Sequence, residues 1–313
     1  MTFTRLAAAL LLSLTLITPA RAADKLTVLL DWFVNPDHAP LVIAETQGLF
    51  EKYGLDVTIV PPSDPSAPPR LVAAGQGDIA ISYQPQLHVQ VAEGLPLVRI
   101  GTIAETPLNS LVALKDGPIK QISDLKGKKV GFSVGGFEDA VLAAMMKKHG
   151  LQLSDVELIN INFALSPSLI NGSVDAVIGA FRNFELNQLD IEKRPGIAFY
   201  PEEHGVPVYD ELIFIAKNDN LDDPRFKPFM RAVEEATLYL TNHPDEALAE
   251  FIKAYPDLDN ELNRRAWYDT LPRLAKRPAA LDSGRYERFA AFMQESGLIK
   301  ETPPLESYAV ELR

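Results

Sequence analysis

Four short segments of this chain carry side chains suited to holding a small molecule. The first is Asp31-Trp-Phe-Val-Asn-Pro-Asp-His38. Trp32 offers a flat apolar face, worth about 0.5–1.5 kcal/mol against a ring beyond the area it buries. Asn35 has both donors and acceptors, which suits the edge of an amino-bearing heterocycle. His38 has two readings, a hydrogen bond to a ligand or a cap on the helix that follows. The second segment is Ser82-Tyr-Gln-Pro85. Tyr83 is placed to stack opposite Trp32, or else to sit in the core with its hydroxyl satisfied, and Gln84 lies beside it. The third is Ser133-Val-Gly-Gly-Phe-Glu138. Either Gly135 and Gly136 leave N–H groups free for an anion or a polar ligand atom, or they only make a tight turn. Glu138 is favoured near a helix start. It repels a sulfonate or phosphate and accepts from an amine. In the fourth, Phe181-Arg-Asn-Phe-Glu185, Glu185 receives an amino group or a ring N–H, or is a solvated helix-start residue. Tyr209 is a weaker candidate.

Catalytic readings of the same residues are thinner. Gly131-Phe-Ser-Val-Gly135 has the form of a hydrolase nucleophile elbow between a strand and a helix, and Asp175 and His204 follow in the expected order. No oxyanion-loop motif precedes it, and so short a match arises easily by chance. The chain has no Cys, which excludes thiolate nucleophiles, thiolate metal sites and disulfides. Its five His, at 38, 88, 149, 204 and 243, form no H-x-x-x-H pair, so no metal site is expected.

The elements that must position these residues alternate. Apolar runs of strand length at 26–30, 56–60 and 78–82 are separated by helical patterns, and the order recurs at 128–132, 156–160 and 175–179. Such spacing implies right-handed crossovers, mainly parallel sheets, and ligand contacts beyond the strands' carboxyl ends. Leu71–Tyr83 and Leu169–Phe181 mirror one another: a helix end, a glycine, an Asp, a β-branched strand and a terminal aromatic. From Asp222 the pattern is helical, and Trp267 reads as packing. We expect two α/β lobes: residues 24–112 completed by 209–313, and residues 113–208. Two crossovers, near 109–112 and 208–212, would form the hinge of the cleft.

The first 22 residues read as a signal peptide, with Arg5, an apolar run from Leu6 to Ile17, and an Ala20-Arg-Ala22 cleavage site. Export to the periplasm is the expectation. The chain carries 30 basic and 42 acidic residues, net −12, a balance that repels nucleic acid and anionic lipid and suits a monomeric carrier.

The segment Ala44-Glu-Thr-Gln-Gly-Leu-Phe-Glu-Lys-Tyr-Gly-Leu-Asp-Val57 resembles the signature of type II periplasmic binding proteins that feed ABC transporters. Ala74-Gly-Gln-Gly-Asp-Ile-Ala80 and Ile122-Ser-Asp-Leu-Lys-Gly-Lys-Lys-Val-Gly131 fit the same family. Asp31-Trp32-x-x-Asn35-x-x-His38 and Ser82-Tyr83-Gln84 are similar to its branch that binds thiamine-pyrimidine precursors. Sulfonate and nitrate binders are sister branches. The resemblance covers essentially the whole mature chain. It implies capture of an aminopyrimidine of the hydroxymethyl or formylamino type, closure of the lobes, and hand-over to ABC permease subunits. No catalysis and no cofactor are implied. The alternatives are an anion binder of the same fold, or an enzyme like the fungal thiamine pyrimidine synthase. That synthase's pattern includes a cysteine-rich iron-binding motif, which this chain lacks.

Overall fold

The computed structural model describes residues 23–312. The signal-peptide reading and its cleavage site lie outside the described residues. Ten strands form two five-stranded sheets. The first sheet contains β1 (Asp24–Leu29), β2 (Leu55–Val60), β3 (Ile79–Ser82), β4 (Leu97–Ala104) and β10 (Leu212–Lys217), in the order β2-β1-β3-β10-β4. The second contains β5 (Asn109–Leu114), β6 (Lys129–Phe132), β7 (Glu157–Asn160), β8 (Ala176–Phe181) and β9 (Gly196–Phe199), in the order β7-β6-β8-β5-β9.

The sheets are mixed rather than mainly parallel. β1 pairs parallel with β2 and β3, and β6 with β7 and β8. β10 and β5 each pair antiparallel with both neighbours. The cause is the double crossing between lobes. β5 and β10 begin where the chain has just crossed, so they start at the cleft, the end at which β3 and β8 finish. The crossings occupy residues 105–108 and 200–211. Residues 109–112, expected in the first lobe, belong to an inner strand of the second sheet.

The mirrored segments have the same construction. Gly75 and Gly172 follow their helices with φ of 76° and 75°, the left-handed stop that a Cβ disfavours. The next aspartates, Asp78 and Asp175, each accept a backbone N–H from the neighbouring parallel strand, Thr27 at 2.7 Å and Lys129 at 2.9 Å. The strands β3 and β8 then deliver Tyr83 and Phe181 to opposite sides of the cleft, where the rings meet edge to face at 6.4 Å.

The helical C-terminal part does two jobs. The helix Phe226–Asn242 packs on the helix Ala39–Thr46 and buries Phe226, Phe229, Met230, Val233, Ala236 and Leu240, with Phe229 against Phe50 and Phe214. That stripe at helical spacing is its source of stability, about 1.5–3 kcal/mol for each large side chain fully buried. The helix Glu261–Thr270 instead reaches the second lobe, packing against Glu185–Ile191. Trp267 is buried within it, its indole N–H donating to the Pro244 carbonyl at 3.1 Å.

A buried carboxylate fastens the hinge. Glu211 Oε2 accepts the N–H groups of Leu108 and Asn109 at 2.6 and 2.9 Å. Arg182 takes the carbonyls of the same two residues while pairing with Glu202. Gln84 lies there as well: its Oε1 accepts the Asp210 N–H at 2.8 Å and its amide meets His88. It was expected in the ligand site. Its place is the return crossover, because the helix it opens starts behind β3 rather than over the cleft.

Candidate functional site

Between the lobes, at the carboxyl ends of β1, β3, β6 and β8, lies a narrow, partly enclosed cavity. Asp31, Asp37, Glu138 and Glu185 line it with Trp32, Phe181 and Phe184, and no Lys or Arg does. Four buried acids in one cleft require hydrogen-bond donors from the protein.

The first lobe supplies them around Asp31. The Tyr83 hydroxyl donates to Asp31 Oδ2 at 2.8 Å, and His38 Nε2 lies 2.9 Å from Oδ1. His38 Nδ1 accepts the Asn35 backbone N–H at 3.3 Å, which leaves the Nε2 hydrogen to Asp31. Asn35 caps the turn Pro36–His38, accepting from the Asp37 N–H at 2.8 Å and donating to the Phe33 carbonyl at 3.1 Å. Asn35 and His38 thus line the cavity but are largely engaged in shaping it. Asp37 accepts from Asn183 at 2.6 Å and from Thr270 at 3.0 Å, which ties the second lobe and the C-terminal helix to the first. Burial pushes the Asp37 carboxyl up despite these donors.

In the second lobe the same device appears twice. Glu138, first residue of its helix, takes the Ser133 N–H at 2.7 Å. Glu185, first residue of the helix after β8, takes the Phe181 N–H at 2.7 Å. Burial pushes both carboxyls up to about 8, with the backbone donors pulling the other way. Glu138 lies directly on Gly179. A Cβ there would come within 2.3 Å of Glu138 Oε1, and Gly179 itself has φ of 96°. This is the glycine of a β-bulge, since the β5–β8 register shifts beside it.

Several expectations change. Gly135 and Gly136 are exposed and do not line the cavity. The turn needs φ of 76° at Gly136, and the N–H at its start, from Ser133, is taken by Glu138. The turn instead sends Phe137 inward to stack on Tyr83, with centroids 4.7 Å apart. Tyr83 therefore does not face Trp32. Its hydroxyl donates to Asp31, and Trp32 meets Phe163 edge-on at 4.7 Å. Tyr209 is buried against Phe289. The hydrolase constellation is not assembled: the Ser133 hydroxyl donates to the Asn162 carbonyl, and His204 bonds His149.

Sequence reasoning overlooked Asp31, Asp37, Gly179 and Phe184. Asp31 immediately follows an apolar strand, the position where ligands gather in open sheets. A glycine inside the run Ala176–Phe181 signals a bulge or a close approach. Asp37 had no local signal, because its partners are 146 and 233 residues away.

A family model described as NMT1/THI5 like matches residues 35–247. A Haemophilus influenzae protein, provisionally named as a thiamine biosynthesis protein, is 54% identical over 302 residues, 96% of this chain and 96% of its own. A Halalkalibacterium halodurans protein named formylaminopyrimidine-binding protein is 33% identical over 229 residues, 72% of this chain and 69% of its own. Among solved structures, the alkanesulfonate-binding protein SsuA from Xanthomonas axonopodis pv. citri, bound to MOPS, matches with a TM-score of 0.71 at 15% identity. That match covers 93% of this chain and 99% of that one. The structural likeness carries the fold, that of the periplasmic binding proteins.

Two outcomes follow from this geometry. Gly179→Ala should cost about 1–3 kcal/mol in urea unfolding, through its positive φ and the displaced Glu138 carboxyl. The raised carboxyls set a pH dependence. Between the ordinary value of 4.5 and about 8, folded Glu138 and Glu185 hold protons that the unfolded chain releases. Stability contributed by them therefore falls as pH rises through that window. The melting temperature of ligand-free protein should drop between pH 5 and pH 8. The drop should shrink in the Glu138→Gln, Glu185→Gln double variant, with Asp37 and Glu211 leaving a residual slope.

Proposed function

The chain belongs to the NMT1/THI5-like family, and on that premise we propose that it captures an aminopyrimidine precursor of thiamine for import through an ABC permease. The observation that carries this reading is the cavity itself, lined by four carboxyl groups and by Trp32, Tyr83, Phe181 and Phe184, with no Lys or Arg. A protonated carboxyl donates and accepts, and an ionised one accepts. With burial holding Glu138 and Glu185 near 8, the pair meets both the N–H groups and the ring nitrogen of an aminopyrimidine. A sulfonate, nitrate or phosphate would find no Lys or Arg among the lining residues to offset its charge. Phe181, Phe184 and Trp32 supply apolar faces for the flat ring.

Capture is by closure. The Asp37–Asn183 bond and the Trp32–Phe163 and Tyr83–Phe137 ring contacts join the two lobes across the cleft. A ligand bridging Asp31 and Asp37 on one side with Glu138 and Glu185 on the other favours the closed form by its differential affinity for it. Export fits the leader-like residues 1–22 and the periplasmic-binding fold. Among the described residues no helix is long and apolar enough to cross a membrane, and delivery is assigned to a separate permease. Binding without turnover agrees with the absence of Cys from the whole sequence, since the related synthase pattern contains a cysteine-rich iron-binding motif.

A thermal-shift and calorimetry panel tests the reading. Hydroxymethyl- and formylaminomethyl-aminopyrimidines should stabilise the protein, while taurine and nitrate should not. Trp32→Ala should weaken pyrimidine binding by about ten- to a hundredfold with the fold retained. Stabilisation by anions alone, or conversion of the pyrimidine to product, would contradict the proposal.

A further inference from the structure

Trp32 serves both lobes. It follows β1 in the first lobe and lines the cavity. The same side chain packs against an apolar cluster of the second lobe that includes Val112, Leu165, Val177 and Leu189. A cavity wall made in this way is only as rigid as the second-lobe group that holds the ring.

Phe163 holds it. This residue reaches across from the turn between β7 and the helix Leu165–Ile170, and meets Trp32 edge-on at 4.7 Å. Its second contact is Phe33, with centroids 4.4 Å apart and the rings tilted by 38°. Phe33 is 52% exposed, and neither Phe33 nor Phe163 lines the cavity. Phe163 therefore grips two first-lobe rings from outside the ligand space. Contacts between lobes exist only while the lobes are together. They add to the barrier for opening and leave the encounter with ligand unchanged.

The turn that presents Phe163 is held in an uncommon conformation. Asn162 has φ of 51°, one of two positive values at non-glycine residues among the described residues. Asn enters this region more readily than most residues, and persistence there requires that the surroundings fix it. The Asn162 N–H donates to Asn160 Oδ1 at 2.9 Å, and its carbonyl accepts the Ser133 hydroxyl. The Ser133 N–H goes to Glu138 in the cavity at 2.7 Å. One residue, Ser133, thus anchors both a carboxyl of the site and the turn that carries Phe163.

We propose that Phe163 is a positioning residue for ligand retention: acting through Trp32, it clasps the closed lobes and slows release. This rests on the pyrimidine-capture reading and extends it to a residue outside the cavity.

Stopped-flow fluorescence with the hydroxymethyl aminopyrimidine tests the clasp. Trp32 supplies the signal, since the other tryptophan, Trp267, is fully buried and gives a constant background. Phe163→Ala should raise the dissociation rate constant at least about tenfold and change the association rate constant by less than about threefold. Phe163→Leu keeps apolar bulk without the ring. It should release ligand about fivefold faster than wild type, and it keeps the test open if the alanine variant does not fold. Phe163→Tyr restores the ring and should release within about threefold of wild type. Unchanged release in Phe163→Ala and Phe163→Leu, or the same acceleration in Phe163→Tyr, overturns the clasp and leaves the pyrimidine reading standing. A loss that falls on association rather than release also overturns it. Failure of the wild-type protein to bind the pyrimidine overturns both.

Discussion

Carboxyl groups cannot be withdrawn from water without donors or protons to replace it, and this cleft withdraws four of them. With no Lys or Arg lining the cavity, the compensation comes from nearby side chains and backbone N–H groups. Asp31 has the Tyr83 hydroxyl and His38, and Asp37 has Asn183 and Thr270. Glu138 and Glu185 have backbone N–H groups at the ends of β6 and β8, and burial keeps them protonated well above the usual carboxyl range. The result is a site with carboxyl groups able to accept from an amine and with no Lys or Arg to pair with an anion.

The architecture follows from that requirement. Parallel strands end at the cleft and free the N–H groups that Glu138 and Glu185 use. The two hinge strands start there, and Glu211 and Arg182 pin the crossing through the same two residues, Leu108 and Asn109. Gly179 lets the Glu138 carboxyl lie against the backbone of β8, and the Asn109 amide oxygen holds the Gly179 N–H at 2.9 Å. Asn109 is also one of the residues pinned by Glu211, so the hinge and the site share a backbone.

Much of this was legible in the sequence, for reasons that can be stated. Alternating strand and helix patterns revealed two α/β lobes, and the strand-end rule led to the segments that contain Trp32, Asn35, His38, Tyr83, Glu138 and Glu185. All six line the cavity. What misled was geometry that periodicity does not carry. Strand direction at a double crossing depends on which end the chain enters, so the sheets are mixed rather than mainly parallel. Phe137, facing inward from a turn with positive φ at Gly136, takes the face of Tyr83 that Trp32 was expected to share. Gln84 is one residue past Tyr83, and that single step moves it from the cleft to the return crossover. Asp37 depends wholly on residues distant in the chain.

The central claim is that carboxyl groups recognise an exocyclic amine. The most direct measurement compares the affinity of the hydroxymethyl aminopyrimidine with that of the same ring bearing an oxo group in place of the amino group. That change replaces the amino N–H donor by an oxo acceptor and turns the adjacent ring nitrogen from an acceptor into an N–H donor, with shape and area nearly constant. The account predicts a loss of about a hundredfold or more, because the donor and acceptor pattern along the ring edge is inverted against carboxyl groups arranged for the amine. Equal affinity for the two compounds would contradict it.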